Sequence, residues 1–360
     1  MLMLLAVMMI TIVVLQRRSR KQAIEGLEYS GRCSKQLVEQ EETFEYVGVV
    51  TNYSNRLLSF LRMEELFPSS VKIAHQGGKL GTDLEGNFQY ISTTYIKARS
   101  QMTRRVTLSL NQRGCHHFVG AKLQVGDFLG LREKRKSFPM DQEVVVYPKR
   151  LDIGKIREAL GGFLGEVSVQ RFIMEDPVLT VGARDYTGSE PLNSISWKHS
   201  ARTGKMMVKQ FDYTAEPMVT VVLDINITGA DTSELVEHCF SIVRGVGEQL
   251  ERQKISYDFM FNAFLKGDFA RERYLPEGLG PHHFSLILEV LGRATHQPEE
   301  DFSKTIDRLK AIHKGNRSII VVLPRRDRQK EKLANEMGGL LTFIYGEDFY
   351  EADQQLKDVV

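Results

Sequence analysis

Asp224, Asn226 and Thr228 stand at alternate positions directly after the apolar run Val219–Leu223, and each carries a side-chain oxygen. In extended backbone alternate residues share a face, so the three can converge on one point while Ile225 and Ile227 turn inward. One carboxylate with two neutral oxygens is the donor type that hard cations take. Such a set makes a weak site, so no cofactor is expected; Mg²⁺ or Mn²⁺ is the metal it would take, and a metal-dependent hydrolase the enzymatic alternative. The plainer alternative is that Asp224 caps local backbone, as Asp does in turns. Cys115-His116-His117 also invites a metal or nucleophile reading, but adjacent strand residues point to opposite faces, so His116 and His117 cannot chelate together. No G-x-S-x-G, G-x-x-x-x-G-K-[ST] or H-E-x-x-H string occurs. No catalytic residue is assigned, and the chain is not expected to be an enzyme.

A second cluster has the chemistry of recognition. Trp197 is the single tryptophan, and Arg184, Tyr186, Lys198, Arg202 and Lys209 surround it in sequence. Aromatic and arginine side chains dominate the energetics of protein interfaces, which makes these six the candidate partner-binding residues. The same residues could instead staple a long connector onto its neighbour through a buried tryptophan.

The elements that must hold these residues are legible from periodicity. From Phe44 to Pro148 short alternating runs separated by turn clusters such as Asn52-Tyr53-Ser54-Asn55 predict strands, with Val106, Leu108 and Leu110 on one dry face. From Met218 the pattern becomes strand, helix, strand. Asp231 and Glu234 have capping-box spacing, and Leu235, Cys239, Ile242, Val243, Val246 and Leu250 fall on one helical face. The expected fold class is α+β multidomain. It has a transmembrane anchor at 1–16, an antiparallel β-sandwich at 27–150, a connector at 151–217 and a doubly wound α/β domain at 218–360.

The anchor is expected because Met1 to Leu15 is apolar apart from Thr11, and four basic residues follow within the five positions 17–21. As a helix the run is about 22 Å long, short of the roughly 30 Å hydrocarbon core. Basic residues after the run place the remaining body in the cytoplasm, giving a cell-membrane protein with a single-pass or incomplete two-pass anchor. With 48 Lys+Arg against 46 Asp+Glu the net charge is +2, so nucleic acid is not an expected partner, and a small-molecule substrate is not expected either. Three separated cysteines argue against a disulfide framework.

The string Gly182-Ala-Arg-Asp-Tyr-Thr-Gly188, followed by Ile195-Ser-Trp-Lys-His-Ser-Ala-Arg202 and Val208-Lys-Gln-Phe211, resembles the signature of the bacterial "domain of unknown function 58" family. Arg113-Gly114, Asp127-Phe-Leu-Gly-Leu131 and Val145-Val-Tyr-Pro148 are similar to its upstream elements, so the resemblance covers about residues 27–225 by motif. Asp224-Ile-Asn-Ile-Thr228 resembles the cation-binding D-x-S-x-S loop of von Willebrand factor A domains, with Asn226 and Thr228 in place of the serines. The resemblance implies a membrane-associated protein with a von Willebrand A-like C-terminal domain, and a MoxR-type AAA+ ATPase as the partner class. It implies no reaction. The functional expectation is a membrane-tethered interaction module or adaptor working with such an ATPase in cell-envelope or complex assembly, the alternatives being the hydrolase or an ATPase-independent envelope scaffold.

Overall fold

Alternating side chains in the first 150 residues give strands that are wet on one face and dry on the other, and the computed structural model builds two sheets from them. It describes residues 24–74, 79–82, 86–126, 133–167, 180–188, 190–211, 218–229, 232–267, 273–312 and 318–358. The chain divides into two units, Met1–Lys149 with Leu291–Arg293, and Arg150–Val290 with Ala294–Val360.

The strands of the first unit are β1 (Leu27–Cys33), β2 (Leu37–Val38), β3 (Thr43–Asn52), β4 (Leu58–Phe67), β5 (Val71–Ile73), β6 (Lys79–Thr82), β7 (Phe88–Ile96), β8 (Ser100–Leu110), β9 (Gly114–Gly126) and β10 (Glu133–Val146). One sheet has the order β1-β3-β8-β5 and the other β2-β10-β9-β4-β7-β6. Phe44, Tyr46, Val106, Leu108 and Leu110 from one sheet and Phe67, Phe118, Val144 and Val146 from the other fill a shared core. A polar clamp joins the same two sheets. The Glu65 carboxylate, 1% exposed, pairs with the Arg104 guanidinium and accepts the Tyr29 hydroxyl at 2.8 Å. Tyr29 in turn lies 2.7 Å from the Tyr46 hydroxyl, and burial pushes the Tyr46 phenol up to about 12. Gly48 makes room for the clamp, since a Cβ there would sit 2.5 Å from Glu65 Oε1. β10 is interrupted by a bulge between Pro139 and Gln142, where proline's missing donor is tolerated. Facing it, Gly120 has φ +125°, and a Cβ there would meet the Phe138 carbonyl oxygen at 2.2 Å.

The second unit begins with α1 (Ile153–Leu160), then β11 (Thr180–Asp185), α2 (Trp197–Thr203) and β12 (Met207–Phe211). There follow β13 (Met218–Leu223), α3 (Thr232–Gln253), β14 (Ser256–Phe261), β15 (Ala263–Leu265), β16 (Tyr274–Gly278), α4 (Pro281–Arg293), β17 (Ala294–Pro298), α5 (Phe302–Ile312), β18 (Ser318–Leu323), α6 (Arg328–Asn335), β19 (Leu340–Tyr345) and α7 (Gly346–Asp358). The main sheet has the order β16-β14-β13-β18-β19. β14, β13, β18 and β19 are parallel, and β16 closes one edge antiparallel. β18 is buried along its whole length, as a parallel strand covered on both faces must be. Leu235, Cys239, Ile242, Val243, Val246 and Leu250 of α3 are each no more than 2% exposed. Gly245 of the same helix admits Ile156 of α1, whose Cγ1 would lie 2.7 Å from a Cβ placed there.

The expected fold class needs correction. Among the described residues strand outweighs helix, 45% to 31%, so they are mostly β where an α+β multidomain chain is expected; β11-β12 and β15-β17 add two small sheets. The anchor expected at 1–16 lies outside the described residues, and among those described no helix is long and apolar enough to cross a membrane. The longest helix, α3, carries Glu234, Glu237, Arg244, Glu248, Glu251 and Arg252 along its 22 residues, which no membrane span accommodates. The transmembrane helix, and the cell-membrane location with a cytoplasmic body built on it, therefore have no support among the described residues.

Candidate functional site

β13 and β14 are neighbouring parallel strands, so the residues that follow them, Asp224 and Asn262, emerge side by side at the carboxyl edge of the sheet. Both are 0% exposed, and burial obliges each polar atom to find a partner. The Asn262 side-chain carbonyl accepts the Ile225 N–H at 2.9 Å. Its amide donates to Asp224 Oδ1 at 2.5 Å and to the Glu300 carbonyl at 3.1 Å. Asp224 Oδ1 also accepts the Asn226 N–H at 3.0 Å.

The strand order reverses at β13, with β14 on one side and β18 on the other. Such a switch point is where open α/β sheets form their ligand crevice. Here a side chain of the chain itself crosses it. Lys330, from the first turn of α6, donates to Asp224 Oδ2 at 2.5 Å and to the Asn226 carbonyl oxygen at 2.6 Å. Asp327 caps that helix through the Gln329 and Lys330 N–H groups. A cation in a first helical turn opposes the helix dipole, so its partners, rather than helix preference, account for Lys330 in this position.

The three loop residues singled out from sequence do not converge. Asp224 is buried at the strand end, and its two oxygens are held by Asn262, the Asn226 backbone and Lys330. The Asn226 amide turns away to Asp301 Oδ1 at 3.2 Å, and Thr228 is exposed. The positive charge that a carboxylate at this depth requires comes from an ammonium group on the chain. Asn262 and Lys330 were not singled out from sequence. Asn262 had a legible signal, a polar residue ending the apolar run of β14, whereas nothing local marks Lys330.

In the signature segment, β11 and β12 pair antiparallel, with Arg184 opposite Val208 and Ala183 opposite Lys209. Ile195, Ser196 and Val208 are the buried positions. Trp197 is 67% exposed, Arg184, Lys198 and Arg202 are exposed, and Tyr186 and Lys209 are half-buried. The staple is therefore not the tryptophan. Glu190 ties the loop instead, accepting Thr187 Oγ1 at 2.8 Å, the Thr187 N–H at 3.1 Å and Arg184 Nη1 at 2.5 Å. The Thr187 hydroxyl first, then Arg184, holds its carboxyl down at about 2.

On β9, His116 points to one face, with Nδ1 2.8 Å from Ser70 Oγ and Nε2 2.9 Å from the Gln112 carbonyl oxygen. Cys115 and His117 share the other face, and the register places Glu143 of β10 directly opposite His117. The Cys115 thiol donates to Glu143 Oε2 at 2.9 Å and lies 3.8 Å from His117 Nε2. The legible signal here was the alternate pair Cys115 and His117, which testing only the adjacent histidines overlooks.

No protein-family model matches the chain. Over 184 residues it is 23% identical to the uncharacterized protein YeaD of Bacillus subtilis (strain 168), a match that covers 49% of this chain and 43% of that protein. The chain thus matches less than half the length of this relative. Solved structures with partial likeness include the CARDB domain of the PF1109 protein from Pyrococcus furiosus in complex with di-metal ions (14% identity, 33% of this chain, 91% of that chain, TM-score 0.22). Another is a cohesin module from the family 33 glycoside hydrolase of Clostridium perfringens (10% identity, 33% of this chain, 96% of that chain, TM-score 0.24). Asp224, Asn226 and Thr228 do not converge, so the cation loop on which the von Willebrand A-like expectation for residues 218–360 rests is not formed.

Proposed function

We propose that the chain is a non-enzymatic protein-docking module that recognises its partner through the signature segment around Trp197. The observation that carries this reading is the tryptophan itself, 67% exposed on a short helix with Lys198 and Arg202 beside it. A large aromatic side chain left in water, flanked by cations, is the composition of an interface anchor. The buried Ile195 and Val208 hold the segment beneath it, so it can present a preformed surface. The partner class is a MoxR-type AAA+ ATPase, on the sequence resemblance alone. The engagement of both Asp224 oxygens supports docking over hydrolysis at the crevice.

The test is binding of the purified full chain to a MoxR-type ATPase, by calorimetry, with and without chelator. Trp197→Ala and Arg202→Glu are each expected to weaken binding by at least about tenfold, the scale of an interface hot spot, with an unchanged melting temperature and no effect of chelator. Equal affinity in both variants would remove the signature segment from the interface, and an ATPase that does not bind the parent chain would leave an ATPase-independent scaffold as the surviving alternative.

A further inference from the structure

We propose that Cys115, His117 and Glu143 form a binding site for a divalent cation of the zinc class on the first unit. Strand geometry creates it. Cys115 and His117 are two residues apart on β9 and share a face, and Glu143 is the cross-strand partner of His117 on β10. One sulfur, one imidazole nitrogen and one carboxylate oxygen lie within 4.8 Å of one another. In a tetrahedral zinc site with bonds of about 2.0–2.3 Å, ligand atoms stand roughly 3.3–3.8 Å apart. The observed 2.9 Å from Cys115 to Glu143 and 3.8 Å from Cys115 to His117 therefore need only small side-chain adjustments.

The surroundings fit the same reading. Arg293, which clusters with this unit, pairs with Glu143 Oε1 at 2.5 Å, which leaves Oε2 directed at the sulfur. An outer partner of this kind fixes the orientation of a ligating carboxylate. The guanidinium also lies 3.9 Å from the Cys115 sulfur. A thiolate and a carboxylate together offset the two charges of the metal. As the metal–sulfur bond forms, the thiol proton now donated to Glu143 passes to solvent, so uptake is accompanied by proton release. Thiolate with imidazole selects zinc-class metals over Mg²⁺ or Ca²⁺, and three protein ligands leave a fourth position for water. This site is separate from the Asp224 crevice in residues and in metal preference, and it does not rest on the docking proposal.

The experiment is a titration of the full, metal-free chain with Zn²⁺ by calorimetry and with Co²⁺ by absorption. Cys33 and Cys239 are buried, and Cys115 is the one partly exposed cysteine, so a cobalt–thiolate charge-transfer band reports on it. One equivalent is expected to bind, with intense visible bands of tetrahedral cobalt, and Zn²⁺ should block alkylation of Cys115. Cys115→Ser should abolish the charge-transfer band, and His117→Gln should weaken binding by more than the roughly 10–100-fold typical of losing an outer-shell partner. Circular dichroism checks that both variants stay folded. Absence of binding in the parent chain, or one equivalent still bound by the Cys115→Ser/His117→Gln double variant, would overturn the proposal.

Discussion

Lys330 and Asp224 meet across 106 residues of sequence, and neither can be understood alone. Asp224 is 0% exposed, and an uncompensated charge at that depth costs about 3–5 kcal/mol when its partner is removed. Lys330→Met is expected to lower unfolding stability by that amount in urea titration. Adding Asp224→Asn should recover most of it, because the double variant has no orphaned charge. Full loss in the double variant would show that the lysine acts through packing instead. The carboxylate was legible from sequence, since an Asp ending an apolar strand has few other uses. Its counter-charge was not, because a lysine in a polar helix looks like any solvated lysine until the helix is placed beside the strand end.

At the scale of elements, helices were easier to read than their exceptions. The face of α3 follows directly from its 3.6-residue period, because burial of that face is what stabilises such a helix. The bulge in β10 and the facing Gly120 were not legible, since a break in alternation looks the same as noise until the partner strand is known. In the signature segment the tryptophan drew attention because it is unique, while the actual tie, Glu190, is one acid among many. Its carboxyl is held at about 2, against an ordinary 4.5. A depressed folded value means that the stabilising contribution is complete above about pH 4.5 and is lost as pH falls toward 2. Carbon-13 NMR of the labelled carboxyl should therefore show Glu190 titrating well below the ordinary glutamate range, and Arg184→Ala should raise its midpoint. A midpoint already near 4.5 in the parent chain would mean that the loop is not tied in solution.

At the scale of the whole molecule, two units each own a core, one built around the Tyr46, Phe67 and Phe118 rings and one around Val222, Leu309 and Val321. A chain of this kind is not bound to unfold in a single step. We expect calorimetry to resolve two transitions. Phe118→Ala should shift one, at a cost of about 3–5 kcal/mol, and Leu309→Ala the other, at about 2–5 kcal/mol. A single transition moved equally by both would mean that the units unfold as one. The change of hydrophobic period near Met218 was legible. The preponderance of strand was less so, because the short β11-β12 and β15-β17 pairs have too few residues to show a period. Finally, Lys330 is tethered by peptide bonds, so the cation opposite Asp224 is delivered once, at folding, and cannot be diluted away or chelated. The cation opposite Asp224 is thus built into the chain, and exchanging it for another group would require moving α6.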